Sequence, residues 1–193
     1  MANNRYRCVT HWQVQGTCTE VYRLIEDAPG LVRWWPSVWL RVEVVEPGDA
    51  QGIGRMTQVV SKGWLPYILC WTARAVEKVF PERIVLTASG DLEGKGDWTF
   101  RQNGSFVEIS YVWEVDANKP LLRYLSFLLK PIFSANHSWA MARGEESLRL
   151  ELSRQRAQTK EERARIPDPP PPRLSQRQRR RLGLPRAQST STI

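Results

Sequence analysis

From Val38 to Asp116 the chain runs in a period-two pattern of apolar residues with turn signals between the runs, and no helical period interrupts it. A stretch of this length can only be strands joined by turns. Residues 107–115 carry the cleanest case, with Val107, Ile109, Tyr111, Trp113 and Val115 on one face and Glu108, Ser110 and Glu114 on the other. Ahead of it, Val38, Leu40, Val42 and Val44 share a face, and residues 53–62, 65–79 and 83–90 read as three further strands, separated by Gly63 and by Phe80-Pro81. "GDLEGKGD" (90–97) reads as a glycine-rich turn. "WTFRQ" and the 106–115 run form a hairpin about Asn103-Gly104, a strong short-range hairpin signal. Strands at this spacing without intervening helices make an antiparallel meander.

The flanks supply the helices. Residues 6–14 alternate and predict a first strand. Thr17 and Glu20 then have capping-box spacing, and Val21, Leu24 and Ile25 follow at helical intervals. Pro29-Gly30 ends that helix and leads into "LVRWWPSVWL", where Trp34, Trp35 and Trp39 crowd around Pro36. After the strands, a long helix is expected from Asn118 to about Leu152, with Pro120 in its first turn and a kink or break at Pro131. The class is α+β: about seven antiparallel strands, two short helices after the first strand, and one long C-terminal helix.

The net charge of +8 sits in one segment: residues 153–193 hold eleven Lys/Arg and three Asp/Glu, whereas residues 1–152 hold 17 of each sign. The chain therefore divides into a neutral domain, 1–152, and a basic Pro/Arg-rich tail, 153–193, whose composition predicts disorder, with a frayed helix allowed up to Arg165. "RQRRRLGLPR" offers five arginines to an anionic membrane surface or to nucleic acid phosphates, and "PPPPR" to an aromatic groove. A solubilising terminus is the plainer reading. Three cysteines without CxxC spacing, no signal-like N-terminus and no apolar run of about 18 residues point to a cytoplasmic location.

Nucleophilic and metal chemistry find no support. No G-x-S-x-G is present, and His11 and His137 lack ligand partners at short spacing, so no metal and no cofactor are expected. His137 is the one candidate acid–base group, with Arg143 and Trp139 near it in sequence. It can equally serve as a local hydrogen-bonding residue.

The segments "VYRLIEDAPGLVRWWPSV", "GDLEGKGDWTF", "YVWEVDANKPLLRYLSFLLKPIF" and "NHSWAMARGEESL" resemble the polyketide cyclase/dehydrase and lipid-transport family of the START-like superfamily, over about residues 5–152. The resemblance implies the helix-grip fold, a curved sheet wrapped around the long helix with a hydrophobic cavity between them. It also implies that the tryptophan helix lies near the pocket mouth. A one-turn helix cannot turn both Trp34 and Trp35 to the core, so either one anchors it while the other forms part of the lid or rim, or, the plainer reading, Trp34, Trp35 and Trp39 all seal the small helices onto the sheet. Candidate wall residues are Trp35, Trp71, Trp98, Tyr111, Trp113, Leu125, Leu129 and Phe133. The expected partner is a hydrophobic, lipid- or polyketide-like small molecule. A carrier or sensor is favoured over a cyclase, dehydratase or aromatase, because few ionisable groups fall on the inward stripes; a peripheral membrane or scaffold protein acting through its basic tail is the third reading.

Overall fold

The computed structural model describes residues 5–117 and 126–183. Strand β1 (Arg5–Gln15) leads to helices α1 (Cys18–Glu26) and α2 (Leu31–Trp34). Six strands follow: β2 (Trp39–Glu46), β3 (Met56–Ser61), β4 (Leu69–Val79), β5 (Arg83–Gly90), β6 (Leu92–Asn103) and β7 (Phe106–Ala117). They form one antiparallel sheet in the order β1-β7-β6-β5-β4-β3-β2, so only the pairing of β1 with β7 departs from a simple meander. Helix α3 (Ser126–Arg156) packs across the sheet, and two short helices end the described chain, α4 (Lys160–Arg165) and α5 (Gln176–Arg181). This is the α+β helix-grip architecture.

The local rules operate as the sequence suggests. The Glu20 N–H donates to Thr17 Oγ1 (3.2 Å) and the Thr17 N–H to Glu20 Oε2 (2.7 Å), closing the capping box at the start of α1. Val21, Leu24 and Ile25 are buried, and so is Tyr22. Val107, Ile109, Tyr111, Trp113 and Val115 all face the core.

Several expectations need correction. Strand β6 begins at Leu92, so most of "GDLEGKGD" is strand, and the chain turns at Gly90-Asp91. The glycines in β6 give space to β7. A Cβ on Gly96 would lie 2.9 Å from both Trp113 Cε3 and Tyr111 Oη, and one on Gly94 would lie 2.0 Å from the Glu114 carbonyl oxygen. Val44 is exposed, because a register shift between Val44 and Glu46 turns the end of β2 out of alternation. Pro131 lies inside α3, which continues on both sides of it. The expected helix start at Asn118 lies outside the described residues. In the tail, α4 falls within the helix allowed up to Arg165, whereas α5 lies beyond it; each carries a side-chain capping box, from Thr159 with Glu162 and from Ser175 with Gln178. Such caps hold single turns that composition alone does not favour.

The C-terminal half of α3 is fastened to the opposite side of the fold. Arg33 donates to the buried Glu151 (2.7 Å), and Arg156 donates to both carboxylate oxygens of Glu20 (3.0 Å each) and to the Gln15 carbonyl (3.1 Å). The Arg156 bonds, with those from Thr17, hold the Glu20 carboxyl down at about 2. The clamp sets the distance between α3 and the sheet, and hence the space enclosed between them.

Candidate functional site: an aromatic cavity under the long helix

The sheet and α3 enclose a cavity of about 250 Å³. Its wall is aromatic because five strands contribute inward-facing rings. Trp98 on β6 lies directly opposite Tyr111 on β7, and the two rings stack with centroids 3.9 Å apart. Trp113 lies opposite Gly96, which leaves its ring free to lie flat over the sheet. From there the contacts run Trp113 to Trp71 (5.7 Å), Trp71 to Trp39 (5.9 Å), Trp39 to Trp35 (5.9 Å), Trp35 to Trp12 (5.6 Å) and Trp12 back to Trp98 (5.4 Å). With Tyr111 to Trp113 (5.8 Å), seven rings form a closed belt. Six of them line the cavity, Trp12 standing behind. Tilted and edge-to-face pairs at these separations add attraction beyond area burial.

This arrangement answers what three tryptophans do beside Pro36. Trp34 and Trp35 are both buried, 1% and 2% exposed, so neither forms a rim. Helix α2 ends at Trp34, and Trp35 leaves it with φ −127° and ψ 52°, so the next side chain also turns inward. The Trp35 ring edge rests on Gly144 of α3, where a Cβ would be 2.4 Å from Trp35 Cζ2.

Of the expected wall residues, Trp35, Trp71, Trp98, Tyr111, Trp113 and Phe133 surround this cavity. Leu125 and the side chain of Leu129 lie outside the described residues. His137 lines the cavity as well. Its Nε2 is 3.3 Å from Thr10 Oγ1 and its ring lies 6.4 Å from Tyr111, nearly parallel. Burial pulls its pKa down to about 4, so the imidazole is neutral near pH 7. Arg143 points outward to Glu146 (2.7 Å) rather than inward. Among the described residues, no group of three His, Cys, Asp or Glu side chains is placed to hold a metal ion.

Sequence reading missed the polar groups of the wall. Lys62 is only 3% exposed, and its Nζ donates to the carbonyls of Gly63 (3.0 Å) and Leu65 (2.6 Å). Asn136 packs on Gly63 and accepts from the Leu65 N–H (3.2 Å). Tyr67 and Tyr6 both meet the Phe133 ring edge-on, and burial raises the pKa of each hydroxyl. These residues gather where the 62–67 loop meets α3. Elsewhere on the wall, Lys78 is paired with Glu26 and donates to the Gln51 carbonyl (3.0 Å). "SKGW" carries no periodicity that would mark Lys62 as an inward residue. Only the return of the loop beneath α3 buries it.

The chain belongs to the polyketide cyclase/dehydrase and lipid transport family, whose model matches residues 14–138. Among solved structures it is similar to the Zhui aromatase/cyclase of Streptomyces sp. R1128, with a TM-score of 0.65 at 13% identity over 80% of this chain and 97% of that one. The Thermus thermophilus protein TTHA0849 gives a TM-score of 0.59 at 19% identity, over 74% of this chain and 97% of that one. The di-domain ARO/CYC BexL, from the BE-7585A biosynthetic pathway, gives 0.54 at 13% identity, over 76% of this chain and 51% of that chain. At these identities the likeness is one of fold. No curated protein sequence matches. Among the described residues no helix is long and apolar enough to cross a membrane.

Proposed function

We propose that the protein binds a flat, ring-bearing hydrophobic small molecule between the sheet and α3, as a carrier or sensor. The closed aromatic belt carries this reading, because six of its seven rings, besides touching one another, line unfilled space. A cavity of about 150 Å³ holds one benzene ring, and drug-sized ligands occupy roughly 300–1,000 Å³. A volume of about 250 Å³ thus suits two or three fused rings. Such a ligand would stack on indoles whose emission reports its arrival. Titration with naphthalene-ring compounds should change tryptophan fluorescence saturably, and native mass spectrometry should detect a one-to-one complex. No saturable response to any ring compound would refute the reading.

Catalysis of cyclisation or dehydration is the second reading, and one observation favours it: a neutral histidine on the cavity wall beside a threonine hydroxyl. In that role the His137 nitrogen would take or return a proton at a bound carbonyl compound. Turnover of a polyketide-like substrate should vanish in His137→Ala while ring binding persists. Full activity in that variant would remove His137 from the mechanism.

The basic tail suits electrostatic contact with an anionic membrane surface or nucleic acid. Three free cysteines fit a reducing compartment such as the cytoplasm.

A further inference from the structure

Lys62 sits on the cavity wall without a counter-charge. Its ammonium is buried at the end of β3, where the chain leaves the sheet and the Lys62 N–H donates to the Val38 carbonyl (2.9 Å). Two of its three ammonium N–H groups are met by the Gly63 and Leu65 carbonyls. Among the described residues no carboxylate lies within ion-pair distance of it. Glu26, the carboxylate on the cavity wall, is already paired with Lys78. Backbone carbonyls offer partial charges, and a buried cation with only such partners is expensive to hold. The tail adds positive charge on the same side. Gln178 of α5 donates to the Pro66 carbonyl (3.1 Å), and the Arg173 guanidinium lies 5.7 Å above the Trp139 ring. Burial, with the Arg173 charge assisting, draws the Lys62 pKa below its usual value. A negative group supplied from the cavity would relieve that stress.

We propose that Lys62 anchors the carboxylate of the bound molecule, so that the cavity takes an apolar aromatic acid in preference to its neutral counterpart. The proposal rests on the reading of the belt as a ligand site. The rings would face the indoles while one carboxylate oxygen accepts the remaining Lys62 N–H. Donors nearby on the same wall, the Tyr67 hydroxyl and the Asn136 amide, are available to the second oxygen. Arg173 would reinforce the site electrostatically from outside.

The test uses the full chain with 2-naphthoate and 2-naphthalenemethanol, which share their rings and differ in charge. The unaltered protein should bind the acid about 10–100-fold more tightly, the range of a charge-assisted hydrogen bond. In Lys62→Gln, which retains donors for the two carbonyls, that preference should fall to about threefold or less while alcohol binding stays. Lys62→Arg should keep most of the preference. Should Lys62→Gln fail to fold, the Lys62 ¹³Cε resonance of the unaltered protein gives an independent readout, shifting on addition of the acid and not of the alcohol. Equal binding of acid and alcohol by the unaltered protein, an acid preference surviving in folded Lys62→Gln, or a Lys62 resonance indifferent to the acid would each overturn the proposal. Binding of both compounds with no preference leaves the cavity reading standing and removes only the anchor. Binding of neither removes the cavity reading and the anchor with it.

Discussion

Replacing Gly144 with alanine sets helix propensity against packing. Gly144 lies in the interior of α3, where alanine is favoured by about 1 kcal/mol in an unpacked helix. The new methyl carbon, however, would stand 2.4, 2.6 and 2.7 Å from Trp35 Cζ2, Cε2 and Cη2. Carbon atoms rest about 3.5–4.0 Å apart, so the indole or the helix must yield by about 1 Å. The indole has little room, with Trp12 at 5.6 Å, Trp34 at 5.7 Å and Trp39 at 5.9 Å between centroids. Overpacking of this kind costs about 1–3 kcal/mol, and a ring held on three sides puts the cost near the upper end. The net expectation is a loss of about 1–2 kcal/mol. At roughly 2–4 °C per kcal/mol for a chain of this size, the melting temperature should drop by about 2–8 °C. Urea unfolding followed by circular dichroism measures this directly. Combining Gly144→Ala with Trp35→Leu should recover part of the loss, a coupling that two independent sites would not show. A Gly144→Ala protein as stable as the parent, or more stable, would refute the contact between α3 and Trp35.

Trp113→Ala should destabilise by about 3–5 kcal/mol, seen as a lower denaturant midpoint with the slope unchanged, since it opens the centre of the belt. His137 has a folded pKa of about 4 against about 6.5 unfolded, so its neutral burial adds nothing unfavourable above pH 6.5 and costs stability as the pH falls from 6.5 toward 4. Urea midpoints should therefore decline over that window in the parent and decline less in His137→Phe, and parallel declines would contradict the burial. Deleting the chain after Ile166 should leave the thermal transition nearly unchanged, because the segment removed meets the domain through largely exposed contacts such as Gln178 to the Pro66 carbonyl, Arg173 over Trp139 and Asp168 to Arg154. Co-sedimentation with anionic vesicles should weaken from about 0.1 M to about 1 M salt and be largely lost on truncation; equal binding by both chains would place the contact on the folded domain.

The sheet is legible because burial imposes a period on strands. One face of β7 must be apolar along its whole length, and five alternate residues from Val107 to Val115 state that in the sequence itself. The Thr17–Glu20 box is legible because capping is a contact between near neighbours in the chain. The errors fall where the reason lies elsewhere in the chain. Glycines at 94 and 96 suggest a turn when read locally. Their purpose is set by Trp113, Tyr111 and the Glu114 carbonyl on the next strand. Local reading leaves open a rim place for one of Trp34 and Trp35 because a one-turn helix has a single inward face; both are buried because α2 ends at Trp34 and Trp35 leaves it in a non-helical conformation.

The same distinction separates wall from chemistry. Six of the eight expected wall residues do line the cavity, since large aromatics on inward stripes have little choice of place. The polar wall residues arrive from irregular backbone. Lys62 lies just past the last residue of β3, in a loop whose sequence would serve equally well on the surface. Its burial depends on Asn136, far along the chain in α3, closing over Gly63 and holding the Leu65 N–H. Loops placed by a rigid scaffold are where binding groups concentrate. On the proposed reading the belt would supply affinity for flat apolar rings in general, and selection among them would fall to the few groups around the 62–67 loop and to His137.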